Sequence, residues 1–307
     1  MSSTTEAPVD AKVGSGDAIT SKERTQFEMV VRRFMRHRLA VTSLILLVLL
    51  LLIAFVGPLF YKWGYEPQPG EIPIAKAPSG EHWFGTTRKA QDLLGLIIRG
   101  TQQSLKIGLL VAVLDIGIGA VWGAVAGLFR GWVDAIMMRI VDVIFVVPFL
   151  AVVAAVSTGI NRVTWLEIAL LIGLLGWGTT ARLVRGQVLS LREQEFIEAA
   201  RAVGASNTRI VFRHLLPNVT GIILVSATLA IVSAILLESA LSFLGFGIQA
   251  PDTSLGSQVS DGAGSAQNKP WLFYFPGITL VLICLTFNFI GDGLRDAFDP
   301  RQTLERK

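Results

Sequence analysis

The sequence predicts an all-α, polytopic membrane protein with six transmembrane helices, and two observations carry that prediction. Of the 307 residues, 52% are hydrophobic and only 16% are charged, a composition too apolar for a soluble or a disordered chain. The apolar residues also gather into long runs, and a helical run of about 20 residues crosses the hydrocarbon core of a bilayer. The single cysteine, Cys284, excludes a disulfide scaffold.

Residues 1–38 are predicted to form a cytoplasmic tail that ends in an amphipathic helix. The first 24 residues are polar and rich in Ser, Thr and Gly, a composition typical of disorder. Apolar residues then recur at helical spacing among several arginines, namely Phe27, Val30, Val31 and Phe34. This pattern predicts a helix that lies in the membrane interface.

Six apolar segments are interpreted as spans: 39–60, 107–129, 140–160, 165–181, 219–246 and 271–290. The fourth is short and contains Glu167, so a re-entrant or core helix is the alternative for it. Counting it as a crossing keeps the basic segment 182–217 on the same side as the other basic segments. Segment 61–100 is rich in proline and is predicted to be an extended outer loop, with a Gly- and Ser-rich second outer loop at 251–270.

The basic residues set the predicted orientation. With the N-terminus inside, 19 of the 27 Lys and Arg residues fall on the cytoplasmic side, and five of the other eight lie in one long loop. Cytoplasmic segments of membrane proteins carry such an excess, so both termini are predicted to be cytoplasmic. The net charge of +4 is therefore interpreted as a topology signal, and no nucleic-acid partner is expected. The first span is too long, and too far from Met1, for a cleaved signal peptide.

The segment 182–217 is predicted to form a helix, a sharp turn and a second helix. Ser190 and Glu193 have the spacing of a capping box, which predicts a helix start. An apolar stripe follows at helical spacing, formed by Phe196, Ala199, Ala200 and Val203. Gly204 comes directly after the stripe and can end the helix with a positive φ.

A second short helix is then predicted between Ser206, which can cap it, and Pro217, which limits it. The small side chains of Ala199 and Ala200 leave the helix surface without large protrusions, so that the helix could fit into a groove of another protein. The alternative is an ordinary connection that packs against the chain's own helices. The pattern alone leaves both interpretations open.

The same segment carries E-A-A, G and L-P at a defined spacing, here Glu198, Ala199, Ala200, Gly204, His214, Leu215, Leu216 and Pro217. It resembles the EAA motif of binding-protein-dependent ABC importer permeases. The family usually has Ile where this chain has His214, but His is common there in the C-type permeases of the dipeptide/oligopeptide family, which 199–218 resembles. Segments 82–86 and 238–245 are similar to two further family segments. The resemblance covers nearly the whole chain, and the run 88–95 departs from it.

The resemblance implies the transmembrane domain of a type I ABC importer, with residues 101–292 as translocation domain and 293–307 as cytoplasmic tail. The chain would form half of the pore in a bacterial inner (plasma) membrane, surrounded by lipid. Its implied partners are a homologous B-type permease, two ATPase subunits that bind ATP and Mg, and an extracytoplasmic solute-binding protein. Coupling to the ATPases would use Phe196, Glu198, Ala199, Ala200, Val203, Gly204, His214, Leu216 and Pro217. Dipeptides and oligopeptides are the implied solutes, with nickel or another small solute as the alternative.

No catalytic chemistry is apparent in the sequence itself. It contains no G-x-x-x-x-G-K-[ST], so ATP hydrolysis is expected from separate subunits. The zinc-protease pattern H-E-x-x-H and the serine-hydrolase pattern G-x-S-x-G are also absent. The three histidines, His37, His82 and His214, are scattered, and no metal site is predicted. A secondary transporter or an intramembrane enzyme is the remote alternative.

Two carboxylates fall within predicted spans, Asp115 in the second and Glu238 near the outer end of the fifth. A charge at membrane depth costs about 2.5–3.5 kcal/mol on insertion scales unless it meets water or a partner. Both residues are therefore candidates for the lining of the translocation path. A carboxylate that pairs across a helix interface, is protonated, or is solvated at the interface is the alternative. Asp115 is not a feature that we associate with the resembled family.

Four glycines recur in the second span, Gly117, Gly119, Gly123 and Gly127. Small residues at this spacing allow two membrane helices to approach closely. The pattern therefore predicts close helix packing in preference to a binding loop.

Overall fold

The computed structural model describes residues 26–159 and 162–298. The polar tail predicted for the first 24 residues and the basic residues from Arg301 onward lie outside these ranges. All long elements of the described residues are helices, and a single bridge between Thr86 and Asp92 is the one β-type contact among them.

Fourteen α-helices are present in the described ranges: α1 (Gln26–Phe34), α2 (Arg38–Phe55), α3 (Leu93–Leu114), α4 (Val121–Phe129), α5 (Gly131–Val146), α6 (Phe149–Gly159), α7 (Trp165–Gly176), α8 (Gly178–Leu191), α9 (Glu195–Ala202), α10 (Asn207–Arg209), α11 (Leu216–Asn218), α12 (Thr220–Phe243), α13 (Leu255–Ala263) and α14 (Trp271–Phe298). A 3-10 turn, Gly57–Leu59, follows α2. Two π-helical turns, Asp115–Ala120 and Ile210–Leu215, join α3 to α4 and α10 to α11.

Five helices of the described chain are long and apolar enough to cross a membrane: Arg38–Leu59, Leu93–Phe129, Trp165–Leu191, Thr220–Phe243 and Trp271–Phe298. A sixth span results if α5 and α6, which meet at a bend of 69°, count as one. The fold class predicted from the sequence, a polytopic helical membrane protein, is confirmed. The fourth span is a 27-residue helix, longer than the sequence suggested.

Four spans differ from the predicted ones, and the fourth and sixth do so by extending further, to Leu191 and Phe298. The second begins at Leu93 instead of residue 107, because the buried Asp92 caps α3 by accepting a hydrogen bond from Gly95 N at 2.9 Å. The predicted outer loop 61–100 is thus helical over its last eight residues. The third span is broken after Val147, because that residue is extended before Pro148, and a residue before proline disfavours the helical conformation.

The bundle core lies between α3, α12 and α14, with α2 packed along α14. A second layer forms where α4 packs on α8. The contact is close because three glycines of the small-residue pattern face α8, where an added Cβ would collide with its atoms: Gly119, Gly123 and Gly127. Gly117 has nothing within 4 Å, so the packing prediction is confirmed at three of its four positions and is wrong for Gly117.

The predicted amphipathic helix is present as α1, but it also packs on the chain itself. Phe34 approaches Gly293 near the end of α14, and Arg33 Nη1 donates to Ala297 O at 3.5 Å. His37 caps α2 and lies 3.5 Å from the carboxylate of Asp296. The two chain ends of the described structure are therefore held together.

At the other end of the bundle, residues 61–92 form no α-helix, as their prolines predict. Asp92 lies at the centre of this region. Its carboxylate accepts hydrogen bonds from the ring of His82 at 2.8 Å and from the hydroxyl of Tyr61 at 3.0 Å. Burial and the adjacent carboxylate raise the pKa of Tyr61. The network ties the start of α3 to the preceding loop.

The Gly- and Ser-rich segment 251–270 is not only a loop, because it contains α13. Ser254 caps this helix by accepting from Ser257 N at 3.0 Å. Two polar contacts fix the segment to α3: Arg99 pairs with Asp252 at 2.8 and 3.0 Å, and Gln258 donates to Leu96 O at 2.7 Å. The composition had suggested an open loop, whereas these contacts fold it back onto the bundle.

Candidate functional site

The segment 182–217 starts inside a helix. α8 continues to Leu191 because its buried face, which includes Val184 and Val188, keeps packing on α4. The predicted capping box at Ser190 and Glu193 is therefore wrong. Ser190 belongs to α8, and Glu193 pairs with Arg130 at 3.0 Å. α9 begins at Glu195 without a side-chain cap.

The apolar stripe of α9 points away from the protein's own helices. Val203 is 90% exposed and Phe196 is 40% exposed, with Ala199 exposed and Ala200 half-buried between them. On the opposite face, Ile197 is fully buried in the cluster that includes Val184, Val188, Ile210 and Leu215. The alternative of an ordinary connection packed by this stripe onto the same chain does not fit. An exposed apolar face of this kind is typical of a protein-binding surface.

The turn after α9 has the predicted conformation. Gly204 has a φ of +84°, and Ala205 N donates to Ala200 O at 3.0 Å, the bond that closes a glycine-terminated helix. Ser206 caps the next helix by accepting from Arg209 N at 3.3 Å. Glycine adopts this positive φ without strain, whereas a β-branched side chain there clashes with the backbone.

The second helical part runs from α10 through the π-helical turn into α11. Ile210, Val211 and Leu215 are buried against α4 and α8, whereas His214 and Leu216 are half-buried and Pro217 is exposed. The EAA-type residues therefore fall into two groups. Those of α9 form the exposed surface, whereas after the turn Leu215 is the fully buried residue that anchors the segment.

Charged contacts connect this segment firmly to the spans. Arg192 Nη1 donates to Leu128 O at 2.6 Å, at the end of α4. Arg185 makes a two-point ion pair with Asp134 of α5, at 2.5 and 2.6 Å. Such bidentate pairs fix orientation as well as distance. These contacts fix α8 to α4 and α5 directly before α9 begins.

A cavity of about 360 Å³ lies between α3, α7, α8 and α12. Asp115 is in its wall, 5% exposed, at the first position of the π-helical turn between α3 and α4. The hydroxyl of Thr180 on α8 donates to Asp115 Oδ2 at 2.6 Å. The wall is otherwise apolar or hydroxylic. The sequence identified the carboxylate, but not Thr180 or the cavity, because both depend on how the spans pack.

Glu238 has a different environment. It is fully buried and lines neither this cavity nor the larger one of about 700 Å³ between α3 and α13. The hydroxyls of Ser242 and Ser254 donate to its Oε1 at 2.7 and 2.5 Å. Interfacial solvation of Glu238 is excluded by its burial, and its contacts connect the end of α12 to the cap of α13.

A bundle of apolar spans, a mostly apolar cavity that contains one carboxylate, and an exposed apolar helix beyond the spans form the architecture expected of a membrane permease. The family described as "Binding-protein-dependent transport system inner membrane component" matches residues 119–304. The chain belongs to this family, the permeases of binding-protein-dependent ABC importers. Residues 25–78 also match the "N-terminal TM domain of oligopeptide transport permease C".

Individual relatives extend this similarity over most of the chain. "Oligopeptide transport system permease protein OppC" of Mycobacterium tuberculosis (strain ATCC 25618 / H37Rv) is 45% identical over 89% of this chain and 94% of its own length. The protein of the same name from Escherichia coli (strain K12) is 42% identical over 91% and 92%. That of Bacillus subtilis (strain 168) is 37% identical over 96% of both chains.

Proposed function

We propose that this chain is the C-type permease subunit of an ATP-driven oligopeptide importer in a bacterial inner (plasma) membrane. The single observation that carries the proposal is the exposed apolar stripe on α9, whose opposite face is anchored by Ile197 in the cluster formed with α4 and α8. The relatives described above are named as oligopeptide permeases, which favours peptides over nickel or another small solute. The chain itself is non-catalytic in this proposal.

The proposed mechanism is alternating access. Two ATPase subunits, which bind ATP and Mg, hold α9 in a groove and move it as they close. The helix pair around Gly204 passes this movement to α4, α5 and α8, and the spans tilt. A homologous B-type permease completes the pore, and a solute-binding protein delivers peptide from outside. The cavity at Asp115 belongs to the path in this proposal, whereas Glu238 shapes the end of α12 nearby.

The test is ATP-dependent uptake of a labelled tripeptide into proteoliposomes that contain this chain with its second permease, ATPases and binding protein. We expect uptake by the complete set and none when any subunit is omitted. The purified chain alone should hydrolyse no ATP, because its sequence contains no nucleotide-binding loop of the Walker type. Uptake by the chain alone would contradict the proposal and indicate a secondary transporter.

The proposed orientation places both termini and α9 in the cytoplasm, since 19 of 27 basic residues fall on that side. We expect Ala77→Cys to react with a membrane-impermeant maleimide in intact cells, and Asn207→Cys to react only after permeabilisation. Both positions are exposed, so access through the membrane is the difference between them. A Cys284→Ala background removes the native thiol. Labelling of Asn207→Cys in intact cells would contradict the topology.

A further inference from the structure

Asp115 is a carboxylate without a cationic partner in the described structure. Its one side-chain hydrogen bond comes from the neutral hydroxyl of Thr180. None of the described residues that line its cavity is Lys, Arg or His. Asp134 and Asp142 do have such partners, Arg185 and Arg182. Glu238 has only serine hydroxyls as partners, but it is enclosed in the interior, whereas Asp115 lines a cavity. A position at a cavity wall without a cationic partner therefore distinguishes Asp115 from these three carboxylates.

The cavity is built to hold a small polar group. Its volume of about 360 Å³ lies within the usual range for ligand pockets of about 300–1,000 Å³. Hydroxyl groups from α8 and α12 line it beside the carboxylate, those of Thr179, Ser226 and Ser233. Thr179 and Ser233 are exposed, so the cavity opens at the surface of the chain. These groups are acceptors that an ammonium group, with its three donors, can use.

The backbone also positions the carboxylate. Asp115 begins a π-helical turn, in which one extra residue per turn changes the direction of the side chains. Thr180 then holds one carboxylate oxygen by its hydroxyl group at 2.6 Å. The other oxygen has no hydrogen-bond partner among the described residues.

We propose that Asp115 is a binding subsite for the primary ammonium group of the transported solute, in the first instance the N-terminal amine of a peptide. The proposal rests on the proposed function, because it gives a chemical role to a residue of the suggested path. A bound cationic group forms an ion pair with the carboxylate, which offsets the cost of an unpaired charge at membrane depth. The hydroxyls of Ser226 and Ser233 accept its remaining hydrogens.

The test is equilibrium binding to the complete permease–ATPase complex in lipid nanodiscs, without the solute-binding protein. Two labelled ligands are compared, trialanine and propionyl-dialanine, which differ only in that the second has hydrogen in place of the amino group. We expect Asp115→Asn to weaken binding of trialanine about tenfold, as loss of a charged hydrogen bond does, and to leave propionyl-dialanine within about twofold. Thr180→Val should have a smaller effect in the same direction.

Asp261→Asn is the matched control, because Asp261 is an exposed carboxylate of α13 that does not line this cavity, and its neutralisation should change neither affinity. Equal losses for both ligands in Asp115→Asn, or no binding of trialanine to the wild-type complex, would overturn the inference. So would a loss of the second permease from the complex in Asp115→Asn, since Asp115 would then pair with a cation of that subunit. Failure of the proposed function is distinguishable, because the wild-type proteoliposomes would then take up no tripeptide.

Discussion

Replacement of Gly204 by valine is expected to abolish ATP-driven uptake while the chain still inserts into the membrane. The glycine has a φ of +84°, and a β-branched residue in that conformation costs about 1–2 kcal/mol. A folded bundle tolerates that cost, since domains are stable by about 5–15 kcal/mol. The turn between α9 and α10 is affected directly, because a change in its backbone angles changes the direction of the exposed stripe. Pull-down of the ATPase subunits and uptake are measured in the same membranes.

The matched control is Gly204→Asn. An added Cβ meets nothing within 4 Å at this position, so space does not distinguish the two variants, and asparagine adopts positive φ more readily than valine. We expect Gly204→Asn to retain most ATPase binding and uptake. Ala199→Trp, which enlarges the exposed stripe and leaves the turn intact, should weaken ATPase binding as Gly204→Val does. Full uptake by Gly204→Val would show that this turn does not couple the subunits.

The turn at Gly204 was predictable from the sequence because its signals are local. A glycine directly after a helical apolar stripe, and a serine two residues later, depend only on neighbouring backbone groups. The capping box at Ser190 and Glu193 is equally local, and it failed. There the buried face of α8 continues to pack on α4, and this tertiary contact outweighs a side-chain cap of about 1 kcal/mol.

The spans were predictable from their apolar runs, but their ends and interruptions were not. Asp92 extends the second span by capping α3, and its stabilisation comes from His82 and Tyr61 in the preceding loop. The break at Pro148 lies inside an uninterrupted apolar run, so hydropathy alone does not reveal it. α13 was missed because its polar, Gly-rich sequence gains stability from Arg99 and Glu238 on other helices.

In the candidate site too, the sequence predicts features that depend on local signals and misses those that depend on tertiary packing. The sequence identifies Asp115 as an unusual charge in a span, and the EAA-type residues as a surface segment. Thr180, 65 positions later, could be connected with Asp115 only through the packing of α4 on α8. Glu238 looked similar to Asp115 in the sequence, yet its serine partners place it in the interior. The chemistry of a carboxylate in a span is therefore set by its neighbours in space.

The packing of α4 on α8 is expected to be sensitive to added side-chain volume. At Gly123 an added Cβ would lie 2.3 Å from Ala181 O and 3.0 Å from Val184 Cβ. A backbone oxygen of a packed helix cannot move aside as a flexible side chain can, so Gly123→Val must separate the two helices. We expect a loss of about 3 kcal/mol, the upper part of the range for overpacking, and therefore unfolding at a clearly lower temperature.

Gly117→Val is the control that isolates this collision. Gly117 lies in the π-helical turn just before α4, six positions from Gly123, and has nothing within 4 Å of its added Cβ. Both variants add the same side chain to the same span, so the span gains the same apolar volume in each. Size-exclusion profiles after heating should show an early loss of the monodisperse peak for Gly123→Val and a wild-type profile for Gly117→Val. Because α8 also leads into α9, any folded Gly123→Val protein should take up peptide poorly. A stable and fully active Gly123→Val protein would contradict the close contact between α4 and α8, on which the proposed coupling depends.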